Sequence, residues 1–277
     1  MVRLLRDERG RLHIDTPLMA ESLMDKELLD STEAETSFRA LPNLNVIKLG
    51  GQSIMDRGRE AVLPLVEEIV AARSEHDLLV TTGGGTRSRH VYTIALDLDM
   101  PAGVLAKLGA SISEQNALML SILLAPHGGI KIGHDDLTKL PAYMALGSIP
   151  VMHAMPPYGL WEEPPHRGRI PPHRTDSGVF LTAEVVGARR CILVKDEKGL
   201  FTADPKKEPN ADFIPEIEVT ELVALDLDDL PIERAMLRAL VSARSVREVF
   251  LVNGLEPGHL TRALAGENPG TRVYRAG

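Results

Sequence analysis

Cysteine, basic charge and long apolar runs are all scarce in this chain of 277 residues. The single Cys191 allows no disulfide within the chain, and a reducing, cytoplasmic location is expected from it. The 39 acidic residues outnumber 31 basic ones, and the net charge of −8 argues against nucleic acid or an anionic membrane as the main partner. No apolar stretch approaches the roughly 18 residues of a membrane span and no hydrophobic leader is recognisable, so no membrane segment is predicted.

What the sequence does contain is an alternation of strand and helix patterns. Short apolar runs predict strands at residues 46–49, 78–82, 130–132, 149–152, 192–194 and 249–252. Helical periodicity is found at residues 57–73, 89–98, 115–124, 136–146, 176–186 and 232–245. This alternation predicts an α/β fold with an open, mostly parallel central sheet and helices on both faces.

Two segments depart from the alternation. Residues 1–42 are charged and show no strand pattern, so we predict an N-terminal extension with at most a short helix, followed by one α/β domain at residues 43–277. Within that domain, residues 154–175 contain six prolines and are predicted to form a long loop. Loops of this length in a compact domain are usually functional or disordered.

Two glycine clusters follow predicted strands. Lys48-Leu49-Gly50-Gly51 ends the first strand and Gly83-Gly84-Gly85 ends the second. Ligands of open α/β sheets lie at the carboxyl ends of strands, where glycines let backbone N–H groups approach an anion and a lysine adds positive charge. A tight turn with a chance lysine is the alternative. Neither cluster fits G-x-G-x-x-G or the P-loop, so both of those sites are disfavoured.

A carboxylate opens the helix that follows the proline-rich loop. Thr175-Asp176-Ser177-Gly178 is either a plain N-cap or a site where the aspartate, near a transferred phosphoryl group, orders Mg²⁺ or a lysine. Lys195, at the end of its strand, would offset phosphate charge from the opposite side. Because phosphoryl transfer depends mainly on positioning and charge stabilisation, Lys48, Asp176 and Lys195 are the predicted catalytic residues.

These motifs, in this order, resemble the amino acid kinase superfamily, and in particular its UMP kinase branch, over roughly residues 44–274. Lys48-Leu-Gly-Gly51 and Thr82-Gly-Gly-Gly85 are similar to the two phosphate loops of that family. The stretch Gly199–Lys207 resembles its adenosine-binding segment, although a strand–turn unit of this kind is often architecture alone. The resemblance implies the amino acid kinase fold and an ATP site with the following residues: Lys48, Gly50, Gly51, Gly83, Gly84, Gly85, Lys195, Phe201, Asp204 and Pro205.

The acceptor side departs from the UMP kinase pattern. UMP kinases follow the second loop with Asn and an Arg-Gly pair, whereas this chain has Thr86-Arg-Ser-Arg-His90. It also has Arg169-Ile-Pro-Pro-His-Arg174 where those enzymes have a glycine-rich loop, and proline removes N–H donors that would wrap an anion. ATP binding is therefore expected to be retained while the acceptor site is rebuilt.

Those departures, with Met55-Asp-Arg-Gly58 and Pro156-Pro-Tyr158, resemble the α subunit of the molybdenum storage proteins, a diverged group of the same family. In that group two related subunits form a hollow α₃β₃ assembly that stores molybdate or tungstate as polyoxometalate clusters, and hydrolysis of ATP drives the loading. The resemblance implies a homologous β subunit as partner, ATP and Mg²⁺ as cofactors, and molybdate as cargo. A UMP kinase or related phosphotransferase is the alternative function.

Histidine is the residue expected to hold such a cargo, because imidazole titrates near neutrality and binds metals through a ring nitrogen. The candidates in or near the central loops are His134, His153, His166 and His173. None has a tight zinc-binding spacing such as H-E-x-x-H, so packing or surface roles compete for each. The storage group tends to carry histidine directly after Pro-Pro-Tyr, and here that position is Gly159.

Overall fold

The computed structural model describes residues 4–14, 16, 18, 22–33 and 37–276, and the chain divides into two compact units, Met1–Ser37 and Phe38–Gly277. In the first unit, β1 (Leu4–Arg6) pairs with β2 (Leu12–Ile14) in an antiparallel hairpin, and α1 (Lys26–Ser31) follows. The predicted short helix is present, but the expectation of no strands is wrong, because strands of three residues are too short to show an alternating pattern. The division at residues 42 and 43 stays a prediction. Within the predicted extension, residues 1–3, 15, 17, 19–21 and 34–36 lie outside the described residues.

The second unit is built on a central sheet. Its strands are, in chain order, β3 (Asn45–Leu49), β4 (Leu78–Thr82), β5 (Gly129–Lys131), β6 (Ile149–His153), β7 (Arg190–Lys195), β8 (Leu200–Phe201), β9 (Phe213–Ile214), β10 (Glu216–Glu218), β11 (Glu248–Asn253) and β12 (Thr271–Tyr274). Strands β8 and β9 pair with each other, and the other eight form one sheet in the order β10-β12-β11-β7-β3-β4-β6-β5. Every neighbouring pair in that sheet is parallel except β11 with β12, so the mostly parallel sheet is confirmed.

Helices cover both faces of this sheet. They are α2 (Arg59–Ala72), α3 (Thr86–Asp97), α4 (Ala102–Leu124), α5 (Leu140–Ala145), α6 (Thr175–Val186), α7 (Val219–Ala224), α8 (Arg234–Val241) and α9 (His259–Ala265). Alternate residues of β3 enter two separate core clusters: Val46 packs with residues of α6, α7 and α8, whereas Ile47 and Leu49 pack with residues of α2, α4 and α9. All five positions of β3 are buried, and three of them are apolar, whereas Asn45 and Lys48 are buried polar residues.

The strand order brings the predicted site residues to one edge. Strand β3 lies between β4 and β7, and Lys48 is in register with Thr81 on one side and Leu193 on the other. All three strands are parallel, so the two glycine clusters and Lys195 follow from carboxyl ends that lie side by side. Where the connections that follow two neighbouring strands run to opposite faces of the sheet, a crevice forms at the carboxyl edge.

Two helices differ from the sequence prediction. Helix α4 begins at Ala102 rather than at residue 115, because small and polar residues interrupt its apolar pattern where it packs closely on α3. A Cβ at Gly109, for instance, would lie 2.1 Å from the Tyr92 hydroxyl. The helix expected over 136–146 is a 3₁₀ segment (His134–Lys139) followed by α5, since Pro141 favours the first turn of a new helix.

Helix α4 with the turn after it, Ala102–His127, is long and apolar enough to cross a membrane by length and composition. The predicted absence of any such stretch is thus corrected, although core helices of globular proteins meet the same criterion. Ten residues of α4 are buried against the sheet and α3, among them Leu105, Leu120 and Leu124. Its outer face carries apolar side chains that are 42–62 % exposed, namely Leu118, Met119, Ile122 and Leu123.

Candidate functional site

A cleft of about 950 Å³ lies at the carboxyl edge of β3, β4 and β7. Both glycine loops line it, and so do Lys48, Asp176 and Lys195. Three elements that are far apart in sequence therefore meet at one place, as the positions of the motifs at strand ends predicted. The part that these residues play in binding or catalysis stays a prediction.

The two glycine loops pack backbone on backbone. A Cβ added to Gly51 would lie 2.1 Å from the nitrogen of Gly85, and one added to Gly83 would lie 2.7 Å from the nitrogen of Gly51. Gly85 also has a φ of +73° and faces the Asp56 carboxylate, which accepts a hydrogen bond from the N–H of Thr86. Any side chain at these glycines would separate the loops, so the sequence keeps the backbone accessible at the floor of the cleft.

Helix α4 holds the second loop in place through buried polar contacts that the sequence analysis missed. The Asn116 side-chain amide donates to the carbonyl of Gly83 at 2.6 Å, and the Thr82 hydroxyl donates to the carbonyl of Ser113 at 2.9 Å. The Ser113 hydroxyl returns a hydrogen bond to the carbonyl of Thr82. Buried polar groups satisfied in this way fix one conformation. No sequence signal marks Asn116, which lies within an apolar helix.

The centre of the cleft is a buried cluster of two lysines and one aspartate. The Lys48 ammonium contacts Asp176 Oδ1, and Lys195 Nζ lies 3.2 Å from Oδ1 and 3.0 Å from Oδ2. Lys48 and Asp176 are each only 4 % exposed. Burial alone would raise the pKa of the Asp176 carboxyl, but the two ammonium groups outweigh it and hold that pKa well below its ordinary value. Burial lowers the pKa of Lys195 from its ordinary value.

Glu233 explains why Asp176 is free to face the lysines. Its carboxylate, at the start of α8, accepts hydrogen bonds of 2.9–3.0 Å from the N–H groups of Arg174, Asp176 and Ser177, and one of 2.7 Å from the Ser177 hydroxyl. The helix α6 is therefore capped by a distant residue, and the plain N-cap alternative for Asp176 is wrong. Both Asp176 oxygens contact lysine ammonium groups, and a role of this carboxylate in ordering Mg²⁺ stays a prediction.

Three predicted nucleotide-binding residues are not among the described residues that line the cleft: Phe201, Asp204 and Pro205. The Phe201 ring packs against the Phe213 ring at 5.4 Å between centroids, within the β8–β9 pair. Asp204 accepts a hydrogen bond from the N–H of Lys206, and this local bond is the main reason that its pKa is lowered. Lys206 itself lines the cleft, so the stretch borders it at one side. Adenosine contact by these residues stays a prediction.

The four candidate histidines are not brought together. The His134 and His153 rings lie edge to face at 4.6 Å between centroids, and His153 Nδ1 is buried without a hydrogen-bond partner among the described residues. Burial lowers the pKa of His153 to about 4, so its ring is neutral at physiological pH. His173 Nδ1 lies 2.9 Å from Glu162 Oε1, and His166 is exposed in the long loop. In the described parts of the chain, no three His, Cys, Asp or Glu side chains form a metal-binding group.

The sequence of this chain matches a known protein family and is similar to known proteins. Residues 43–253 match the model of the amino acid kinase family. The molybdenum storage protein subunit beta of Azotobacter vinelandii is 54 % identical over 256 residues, which cover 92 % of this chain and 95 % of that protein. The uridylate kinase of Metallosphaera sedula is 26 % identical over 236 residues, which cover 82 % of this chain and 97 % of that enzyme.

Solved structures show the same fold. The uridylate kinase of Archaeoglobus fulgidus superposes with a TM-score of 0.65 at 22 % identity, covering 83 % of this chain and 99 % of that one. The UMP kinase of Bacillus anthracis gives the same TM-score at 18 % identity, covering 86 % and 98 %. At these identities the likeness concerns the fold alone. The storage relative is a subunit beta, so the match does not confirm the predicted α type. The chain is a member of the amino acid kinase family and a homologue of the molybdenum storage protein subunit beta.

Proposed function

We propose that this chain is an ATP-binding subunit of a cytoplasmic assembly that stores molybdate, or tungstate, as polyoxometalate clusters, with ATP hydrolysis driving the loading. The observation that carries the proposal is the pairing of Lys48 and Lys195 with one buried aspartate at two glycine loops, in a homologue of a storage protein. Two ammonium groups and one carboxylate leave a net charge of +1 in a cleft that exposes backbone donors. An anionic polyphosphate suits that charge.

In this proposal each residue of the cluster has one task. Lys48 and Lys195 offset the charge on the phosphate oxygens, and Asp176 keeps both ammonium groups at fixed positions. Since hydrolysis of a phosphoryl group depends mostly on positioning and charge, no further covalent participant is needed. Water replaces the organic acceptor of the kinases.

Mg²⁺ fits the cleft only in a particular way. Both oxygens of Asp176 are engaged by lysines, and the other aspartates lining the cleft each have a partner as well: Asp56 with Thr86, Asp196 with Arg57, and Asp229 with Lys207. Mg²⁺ commonly binds through phosphate oxygens and water with one or two carboxylates. The ion would thus enter with the nucleotide, and Asp196 and Asp229, whose partners are on the surface, are the carboxylates able to turn toward it.

Metal content after loading tests the proposal directly. Purified protein, alone and with a homologous second subunit, is incubated with molybdate and Mg²⁺-ATP, desalted, and measured by mass spectrometry. We expect many Mo atoms per chain with ATP and background levels without it. Absence of retention in both preparations, together with phosphate transfer to UMP in a coupled assay, would establish the UMP kinase alternative instead.

Cargo attachment by histidine is part of the proposal. His134 and His153 form a pair whose partly buried rings are neutral, the form in which imidazole binds a metal. His166 is exposed and His173 is held by a carboxylate. Support is strongest for the paired histidines, because His153 Nδ1 has no hydrogen-bond partner among the described residues; this nitrogen is buried, so the ring has to turn outward before it can bind cargo.

The outer face of α4 supports the proposed subunit partner, in an α₃β₃ hexamer. No charged residue occurs between Asn116 and Pro126, and the exposed apolar side chains there would be covered by an equally uncharged face of a homologous subunit. Leu118→Glu with Ile122→Glu places two charges on that face, one helical turn apart. We expect a loss of assembly mass by analytical ultracentrifugation, with Val185→Glu, at a position 71 % exposed on α6, as the control. Unchanged mass in the double variant would exclude this face.

A further inference from the structure

One carboxylate in the proline-rich segment is buried although its neighbours are not. The Glu162 side chain is 1 % exposed, whereas Trp161 is 87 % exposed. Its Oε1 lies 2.9 Å from His173 Nδ1, and its Oε2 has no hydrogen-bond partner among the residues that the structure describes. Burying a carboxylate is unfavourable unless it is paired, so this contact, together with the hydrogen bond of 3.1 Å that Oε1 accepts from the N–H of Glu163, has to compensate for the loss of hydration.

The contact closes a loop. Glu162 and His173 are 11 residues apart, and seven of the ten residues between them are exposed. A surface loop whose ends lie close together is an Ω-loop, and its ends decide whether it stays folded. Its far side is held by Arg169, which donates to Asp99 at 3.1 Å and to the carbonyl of Leu96 at 2.8 Å. That pair is on the surface and contributes little.

The closed end of the loop is joined directly to the cleft. His173 precedes Arg174, whose N–H donates to Glu233 at 2.9 Å and whose guanidinium lies 3.8 Å from the same carboxylate. Glu233 also receives the N–H of Asp176. A displacement of His173 would therefore be transmitted to Arg174, which lines the cleft, and to the first turn of α6.

We propose that the hydrogen bond between Glu162 and His173 is a clasp that positions Arg174 for an anionic ligand in the cleft. Both are positioning residues, and neither touches the ligand. The clasp holds residues 163–172 against the domain and fixes the chain two residues before helix α6. The effect on ligand binding rests on the proposed nucleotide site, whereas the closing of the loop does not.

Limited proteolysis measures the loop without any ligand. Trypsin can cut after Arg167 and Arg169, which are both exposed in the loop. In Glu162→Ala and His173→Ala we expect cleavage roughly 10- to 100-fold faster, the factor that a lost hydrogen bond to a charged group corresponds to. The double variant should be no faster than either single one. Glu162→Gln keeps an acceptor for the imidazole N–H and should stay within about twofold of wild type, as should Glu163→Ala at the exposed neighbour.

Ligand binding distinguishes positioning from general destabilisation. In Glu162→Ala the dissociation constant of Mg²⁺-AMP-PNP should rise about 5- to 10-fold while that of adenosine stays unchanged, because Arg174 addresses the phosphates. Equal weakening of both ligands, or wild-type cleavage rates in Glu162→Ala and His173→Ala, would overturn the clasp. If the wild-type protein binds neither ligand, the nucleotide site fails, and proteolysis of the same variants still decides whether the loop is clasped.

Discussion

Replacing Lys48 by alanine is expected to abolish ATP-dependent retention of molybdenum. Lys48 is 4 % exposed, and its ammonium group contacts Asp176 at the place where two glycine loops meet. Truncating one buried partner of a charged contact typically costs about 2–5 kcal/mol of binding, which corresponds to roughly a 30- to 4,000-fold loss of affinity. Calorimetry with Mg²⁺-AMP-PNP and metal content after loading both measure this effect.

The fold should survive this substitution. After Lys48→Ala, Asp176 keeps Lys195 at 3.0 and 3.2 Å, so a neutral buried pair remains rather than an isolated charge. We therefore expect a loss of about 1–3 kcal/mol in the free energy of unfolding, less than the 3–5 kcal/mol that an uncompensated buried charge costs. Lys48→Met, which keeps the volume and removes the charge, separates loss of charge from loss of packing.

Lys139→Ala is the matched control, because this lysine pairs with Asp136 on the surface, away from the cleft. It should load molybdenum like the wild type. Full loading by Lys48→Ala or Lys48→Met would remove Lys48 from the mechanism and leave Lys195 as the lysine that acts on the phosphates.

The sequence was sufficient to predict that Lys48, Lys195 and the glycine loops lie at one edge of the sheet. Parallel strands end on the same side, so motifs at the ends of β3, β4 and β7 had to meet once the strand order was known. Helices placed between successive strands predict that those strands run parallel, whereas the order of the strands was learned from the structure. The position of Asp176 at this edge could be predicted for the same reason, since its helix α6 directly precedes β7.

Glu233 and Asn116 were beyond sequence reasoning. Glu233 lies 57 residues after Asp176, and a glutamate before a helix is ordinary, so nothing marks it as the cap of another helix. Asn116 is hidden because its neighbours carry the apolar pattern of a buried helix. Both residues act through contacts that exist only after the helices have packed. Phe201 and Asp204 are the opposite case: they belong to a recognisable motif, but they lie beside the cleft and do not line it.

Asp176→Asn should be the most destabilising single change in the cleft. It leaves two ammonium groups at one buried place without a carboxylate between them. Removing the partner of a buried charge costs about 3–5 kcal/mol of stability, and here two charges lose it together. Urea denaturation at neutral pH measures the loss, and Asp228→Asn at an exposed position should change the free energy of unfolding little.

The pH dependence of stability should change in a defined direction. The pKa of Asp176 in the folded protein lies below its unfolded value of about 3.9, so its stabilisation is complete above that value and is lost as the pH falls further. Asparagine does not titrate, and the slope of stability against pH below about pH 4 should therefore be smaller in the variant. An unchanged acid slope would mean that other carboxylates determine acid unfolding.

At high pH the Asp176→Asn variant should regain part of its lost stability. Burial already lowers the pKa of Lys195 in the wild type, and without the carboxylate the folded state disfavours the ammonium form still more. Because the unfolded chain then binds more protons than the folded one, the stability of Asp176→Asn should rise with pH on the alkaline side.

The nucleotide affinity of Asp176→Asn should fall less than about tenfold, since both positive charges remain, whereas molybdenum loading should fall at least about 100-fold because the positions of these charges are lost. Such a separation, which is not expected in Lys48→Ala because binding and loading both fall there, would identify Asp176 as the residue that positions charge rather than supplies it.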